Sequence, residues 1–166
     1  SGKFLTESIF IEIYTDNDLS GIAGPIDEQQ AFIIEKDLSK IILGKNPLAI
    51  ELLWDQMHRL SVHGRQGITM QAISAIDCAL WDIKGKYFNT PIYNLIGGPT
   101  RNSIPAYASM LGFNVTDMTL VAERALEYKT KGFDAQKWFF RYGPMSGKEG
   151  LKKNIQLVET LRNTLG

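Results

Sequence analysis

The pattern of apolar residues changes at Gly97–Gly98–Pro99. Before these residues, the pattern predicts an antiparallel hairpin followed by helices. After them, strand, helix, strand and helix alternate at the spacing of about 30 residues that is typical of parallel βα units. Because these patterns belong to different architectures, we predict two domains, residues 1–100 and residues 101–166.

The first domain is predicted to begin with a hairpin. Isoleucines recur at every second position near the end of Phe4–Tyr14, which indicates a strand with one apolar face. A turn cluster at Thr15–Asp18 separates this strand from a returning strand at Leu19–Ala23. We expect Gly24–Pro25 to end the sheet, since glycine and proline interrupt regular structure.

Three helices and one short helical turn are predicted in the rest of this domain. They run from an N-cap at Asp27 to about Leu43, from Asn46–Pro47 to about Leu60, from about Ile68 to Tyr87, and over Ile92–Ile96. We expect Trp81 to be buried on the apolar side of the third helix. The sequence therefore predicts an α+β domain in which the hairpin packs on a three-helix bundle.

The second domain is predicted to contain two strands and two helices. The strands cover Ile104–Met110 and Asp134–Phe140, and the helices run from Thr116–Asp117 to about Lys131 and from about Lys148 to Leu165. Two parallel strands without further neighbours leave open edges and an uncovered apolar face. We therefore interpret this domain as part of a larger sheet.

Composition narrows the possible functions. Lys plus Arg equals Asp plus Glu, 18 against 18, so the chain lacks the basic surplus typical of proteins that bind nucleic acid or anionic membranes. No run approaches the roughly 18 apolar residues of a membrane span, and the start shows no secretory signal pattern. The single cysteine excludes an intrachain disulfide and a zinc site built from cysteines. We expect a soluble, cytoplasmic protein that binds neither nucleic acid nor membrane.

One segment carries a family resemblance. Met70–Gly98 reads MQAISAIDCALWDIKGKYFNTPIYNLIGG, and it resembles the mandelate racemase and muconate lactonizing enzyme branch of the enolase superfamily. Three shorter segments are similar to other parts of that family: YTDNDLSG at 14–21 to its hairpin, RNSIPAYAS at 101–109 to its first barrel strand, and KGFDAQKW at 131–138 to its second. The resemblance covers essentially the whole chain.

The resemblance implies a fold. Members join an α+β capping domain to a modified (β/α) barrel, with the active site at the carboxyl ends of the barrel strands, under loops of the cap. Residues 1–100 would be the cap and residues 101–166 the first two βα units. Since a complete eight-unit barrel takes about 250 residues, we expect this chain to be a fragment of a longer polypeptide. We also expect the family's first cap strand to precede Lys3.

The resemblance also implies a chemistry. Members remove a proton next to a carboxylate, and a bound magnesium ion stabilises the resulting enediolate. Acidic residues at the ends of the third, fourth and fifth barrel strands hold this ion in the family. We therefore expect the Mg²⁺ ligands to lie beyond Gly166, and we assign no metal ligand within the chain.

Family members often show K-x-K in the second barrel strand, with both lysines facing the site. Here Lys137 matches the first lysine, which contacts the substrate carboxylate, and Phe139 replaces the second. Because phenylalanine cannot transfer a proton, this replacement favours a dehydratase over a racemase that needs two bases. The resemblance thus makes Lys137 a catalytic residue, and it makes Phe139 and the cap loop Gly24, Pro25 and Ile26 substrate-binding residues.

Two carboxylates on the third helix could suggest acid–base chemistry. Asp77 and Asp82 lie five residues apart, so they do not share a helix face. We predict structural roles for both.

These inferences converge on a magnesium-dependent acid-sugar dehydratase that acts on a small carboxylate-bearing substrate, forms a homo-oligomer and is inactive as this chain alone. A racemase, epimerase or cycloisomerase of the same branch is the first alternative. A stand-alone, non-catalytic cap module that pairs with another chain is the second.

Overall fold

The computed structural model describes residues 8–60, 62–63 and 65–166. Within them the chain forms two compact units, which divide between Thr100 and Arg101. Part of the strand predicted from Phe4 lies outside the described residues.

The first unit opens with an antiparallel hairpin of two strands, β1 (Ile9–Tyr14) and β2 (Ser20–Ile26). The prediction that the sheet ends at Gly24–Pro25 was wrong, because β2 continues to Ile26, which pairs with Ile9. The register shifts between Ile9 and Ile11, opposite this stretch. Such an irregularity interrupts the ladder and lets a sheet accept a proline.

Helices fill the rest of the first unit. They are α1 (Glu28–Ile33), a π-helical turn (Ile34–Leu38), α2 (Ser39–Ile42), α3 (Ile50–Leu60), α4 (Gly67–Tyr87) and α5 (Ile92–Leu95). The N-cap prediction at Asp27 is confirmed, since Asp27 and Gln30 form a reciprocal capping box. Helix α3 begins at Ile50 and not at Asn46–Pro47 as predicted. The Asn46 side chain accepts a hydrogen bond of 2.9 Å from the Leu48 N–H and holds a turn there.

Helix α4 organises the core of the first unit. The buried core residues are Leu38, Ile50, Leu53, Met57, Ala72, Ile73, Ile76, Leu80 and Ile83. Strand β2 packs against α4 so closely that a Cβ atom on Gly21 would lie 2.0 Å from the Ala79 carbonyl oxygen. Trp81 is only half-buried, contrary to prediction, because it lies at the margin of this core. The Lys84 ammonium lies 5.0 Å from the centre of its ring.

The second unit contains two parallel strands and two long helices. In order they are β3 (Tyr107–Ser109), α6 (Met118–Thr130), β4 (Ala135–Lys137), a 3₁₀ turn (Pro144–Ser146) and α7 (Gly147–Leu165). The predicted parallel pairing is confirmed, with Ser109 opposite Lys137. Both strands are shorter than predicted, because only three residue pairs form the ladder.

The second unit has a buried cluster of Val115, Val121 and Leu157. Ala108, Met110 and Ala125 are buried as well. No helix in the described ranges is both long and apolar enough to cross a membrane.

Candidate functional site

The first group of predicted site residues lies at the end of β2. Gly24 and Pro25 are exposed and Ile26 is half-buried. Gly24 has φ of +142°, and a Cβ atom there would lie 2.8 Å from the Phe10 ring. Both facts require glycine at this position.

An open groove of about 580 Å³ runs beside this segment, between the end of β2 and helix α4. Residues 22–26 form one wall. The polar side chains of Gln30, Gln71, Ser74 and Cys78 also line the groove. Gln30 and Gln71 hydrogen-bond to each other, whereas the hydroxyl of Ser74 and the thiol of Cys78 can hydrogen-bond to a hydroxylated ligand.

The carboxylate of Asp82 anchors the outer edge of β2. Its Oδ2 accepts a hydrogen bond of 3.0 Å from the Ile22 N–H and one of 2.8 Å from the Lys86 ammonium. Lys86 also donates to the Ser20 carbonyl oxygen at 2.7 Å. Burial raises the pKa of Asp82, but the hydrogen bonds from Lys86 and Ile22 outweigh it and hold the pKa below its ordinary value. The predicted structural role of Asp82 is confirmed by these contacts.

Asp77 differs from Asp82 although both lie on α4. Burial, with a smaller contribution from the negative charge of Glu51, raises the pKa of Asp77 above its ordinary value. Its carboxyl is therefore easier to protonate than that of Asp82.

The second group of predicted site residues lies at the end of β4. Lys137 is exposed, and its Nζ lies 3.4 Å from the Tyr107 hydroxyl oxygen, to which it donates, and 5.5 Å from the centre of the Tyr107 ring. None of the ion pairs in the described part of the chain includes Lys137. The ammonium group is therefore available to an anionic ligand.

Phe139 lies beyond the paired part of β4. It is half-buried and packs against the cluster of Val115, Val121 and Leu157. The neighbouring Trp138 packs against the same cluster. The contacts of Phe139 with this cluster are thus hydrophobic and belong to the core of the second unit.

Two residues that the sequence reasoning missed share the exposed face with Lys137. Tyr107 and Ser109 alternate with the buried Ala108, and both are exposed. Parallel pairing places Ser109 directly opposite Lys137. The signal was present in the sequence, since positions 107 and 109 fall on one face of a strand with period two.

The described residues contain no group of three or more His, Cys, Asp or Glu side chains that could hold a metal ion. Magnesium prefers six oxygen ligands, with carboxylates among them.

Comparison with known proteins shows the family. Residues 6–97 match the family model described as "Mandelate racemase / muconate lactonizing enzyme, N-terminal domain". This match covers more than half of the chain. The chain therefore belongs to the mandelate racemase and muconate lactonizing enzyme branch of the enolase superfamily, and its first unit is the N-terminal capping domain of that family.

Two curated relatives are similar along most of the chain. L-rhamnonate dehydratase from Saccharopolyspora erythraea is 33% identical over 161 residues, which are 96% of this chain and 38% of that protein. A protein of Caldivirga maquilingensis, provisionally named an L-rhamnonate dehydratase, is 38% identical over 137 residues, which are 82% of this chain and 31% of that protein. The chain spans about a third of the length of these relatives.

Solved structures of dehydratases and of a racemase are also similar to this chain along most of its length. The crystal structure of L-rhamnonate dehydratase from Gibberella zeae superposes with a TM-score of 0.78 at 30% identity, covering 98% of this chain and 39% of that one. A complex of rhamnonate dehydratase from the same organism with Mg gives a TM-score of 0.77, covering 95% of this chain and 36% of that one. A racemase from Streptomyces coelicolor A3(2) with bound magnesium also gives 0.77 at 30% identity, covering 95% and 43% of the two chains.

Proposed function

We propose that this chain is part of a magnesium-dependent acid-sugar dehydratase. Residues 1–100 form its cap, and residues 101–166 form the first two βα units of its (β/α) barrel. The observation that carries the proposal is the extent of the likeness to an L-rhamnonate dehydratase, 33% identity over 96% of the chain. The likeness therefore includes the unit that holds Lys137 as well as the cap.

Lys137 is proposed to bind the substrate carboxylate. Removal of a proton next to a carboxylate places a second negative charge on the carboxylate oxygens, so a fixed ammonium group stabilises the transition state more than the ground state. Lys137 is suited to this role because it is exposed and outside the ion pairs of the described residues. Tyr107 limits the directions in which its ammonium group can point.

The remaining predicted residues select the substrate in this proposal. Gly24, Pro25 and Ile26 contact the sugar from the cap. Phe139 is half-buried, and the part of its ring outside the core of the second unit is proposed to give the substrate apolar surface and no proton transfer. When bound, magnesium supplies further electrostatic stabilisation of the enediolate, and its ligands are proposed to lie beyond Gly166. Assembly as a homo-oligomer and a cytoplasmic location stay predictions.

The test uses the complete reading frame that encodes this chain. Loss of the proton next to the carboxylate and of the neighbouring hydroxyl as water gives an enol, which becomes a 2-keto-3-deoxy acid. Purified enzyme with magnesium is incubated with L-rhamnonate and other acid sugars, and the keto acid is measured. We expect turnover of at least one acid sugar.

A variant pair tests the role of Lys137. Lys137→Gln should lower kcat/KM by about 10- to 100-fold, the loss expected for a hydrogen bond to a charged group. Lys148→Gln, at another exposed lysine, should leave kcat/KM unchanged. Full activity of Lys137→Gln would remove this residue from the proposal.

A racemase is the second candidate, since the Streptomyces coelicolor structure is similarly close. It would exchange the proton next to the carboxylate with deuterium from D₂O and invert that centre without forming a keto acid. This result would replace the dehydratase proposal.

A further inference from the structure

We propose that helix α4 positions the segment Gly24–Ile26 through two side-chain clamps, Asp82 before the segment and Gln71 after it. The inference rests on the proposed function, in which this segment contacts the substrate. It makes Asp82 and Gln71 positioning residues for substrate selection, although neither is proposed to touch the substrate.

The first clamp holds β2 just before the segment. Asp82 accepts a hydrogen bond from the Ile22 N–H. This N–H group lies on the outer edge of the hairpin. Lys86 completes the clamp, because its ammonium group donates hydrogen bonds to both the Asp82 carboxylate and the Ser20 carbonyl oxygen. These contacts replace the hydrogen bonds that a further strand would make.

The second clamp holds the chain just after the segment. The Gln71 Oε1 accepts a hydrogen bond of 3.0 Å from the Gln30 side-chain amide. The Oε1 of that same Gln30 side chain accepts the Asp27 N–H at 3.1 Å, and the Gln30 N–H donates to Asp27 Oδ1 at 2.8 Å. Gln30 therefore connects the first residue after β2 to helix α4.

The two clamps lie on one side of helix α4. Gln71 and Asp82 lie eleven residues apart, which is about three helical turns at 3.6 residues per turn. One face of the helix therefore contacts the chain both before and after the segment.

Within the segment, the ladder with β1 includes only Ile26, which pairs with Ile9. Gly24 and Pro25 are exposed, and Gly24 lacks a side chain that could pack. The same segment forms one wall of the 580 Å³ groove, and Gln71 also lines this groove. Loosening the second clamp should therefore change the shape of the groove.

Gln71 offers the cleaner test, because it is exposed and its replacement leaves the core intact. In the complete enzyme, Gln71→Ala should raise KM for the preferred acid sugar about 3- to 10-fold, as expected for one lost hydrogen bond. It should also change the ratio of kcat/KM between acid sugars, while kcat stays within about twofold. Gln71→Glu keeps the acceptor oxygen and should restore both values. Gln29→Ala, an exposed glutamine on α1, is the matched control.

Hydrogen–deuterium exchange on the 166-residue chain gives a readout without activity. Gln71→Ala should speed exchange of the amides in residues 24–27 and leave the centre of α4 unchanged. Unchanged exchange there, or unchanged KM and substrate ratios in an active enzyme, would overturn the proposal. If the wild-type enzyme turns over no acid sugar, the proposed function fails, and the exchange rates of residues 24–27 alone then decide whether the clamp exists.

Discussion

The two units of this chain differ in how they bury their apolar residues. In the described part of the first unit, nine buried residues form one core, contributed by the π-helical turn and helices α3 and α4. The corresponding cluster of the second unit has three buried residues. Helix α7 instead exposes a stripe of Leu151, Ile155 and Val158 at helical spacing.

This difference in buried apolar residues predicts a difference in folding stability between the two units. The first unit closes its core mainly with contacts among its own helices and hairpin. Large apolar side chains are exposed in both units among the described residues, but the second unit has the smaller buried cluster. A smaller buried cluster contributes less hydrophobic stabilisation. We therefore expect the first unit to be the more stable in this chain, and the following experiments test that comparison.

The largest effect is expected in the core of the first unit. Ile76→Ala should cost about 2–5 kcal/mol, because Ile76 is fully buried and its truncation leaves a cavity. Leu157→Ala in the second unit should cost about 2 kcal/mol, near the lower end of that range, since a small core can collapse around the lost atoms. Segment-resolved hydrogen exchange measures both, because the two units need not unfold together. An equal loss in both units would contradict the comparison.

Tight packing between β2 and α4 gives the next effect. Gly21→Ala should destabilise the first unit by about 1–3 kcal/mol, because the added Cβ meets the Ala79 carbonyl oxygen. Gly143→Ala in the second unit is the control, since nothing lies within 4 Å of a Cβ there. Urea titration followed by tryptophan fluorescence measures both variants. A neutral Gly21→Ala would show that β2 and α4 pack less closely than described.

The two carboxylates of α4 predict opposite pH effects, each below about 1 kcal/mol because both side chains are partly solvated. The pKa of Asp82 is lowered in the folded state, so its stabilising contribution is present at pH 7 and disappears as pH falls through that folded pKa. The pKa of Asp77 is raised, so the stability linked to its protonation is present below its unfolded pKa and is lost as pH rises through the folded pKa.

Substitution separates these two contributions. At pH 7, Asp82→Asn should destabilise the first unit and Asp77→Asn should stabilise it. Both differences should shrink toward zero when thermal unfolding is repeated at progressively lower pH. The same sign for both variants at pH 7 would show that the described surroundings of one carboxylate are wrong.

The smallest effect is expected when magnesium is added to this chain alone. Calorimetric titration of the 166-residue chain should show no stoichiometric binding, because the described residues contain no cluster of metal-binding side chains. The complete enzyme, titrated in parallel, should bind the ion. Stoichiometric binding by the chain alone, together with acid-sugar turnover, would overturn the expectation that the ligands lie beyond Gly166.

Much of the local structure was determined by the sequence. The capping box at Asp27 and the long helix α4 follow from residue types and a period of 3.6, which depend on neighbours a few positions away. The parallel pairing of β3 and β4 follows from the strand–helix–strand order. Lys137 was placed on the second strand of this unit by the family resemblance, and the structure ends that strand at Lys137.

Other features depended on residues distant in the chain. The continuation of β2 past Gly24–Pro25 required the shifted register opposite it. The half-burial of Trp81 depended on where the core of the first unit ends. The packing of Phe139 against the cluster of Val115, Val121 and Leu157 depended on where distant helices lie. The contact of Asp82 with the Ile22 N–H joins residues 60 positions apart. Only the tertiary structure decides such features, because no local pattern specifies which distant atoms meet.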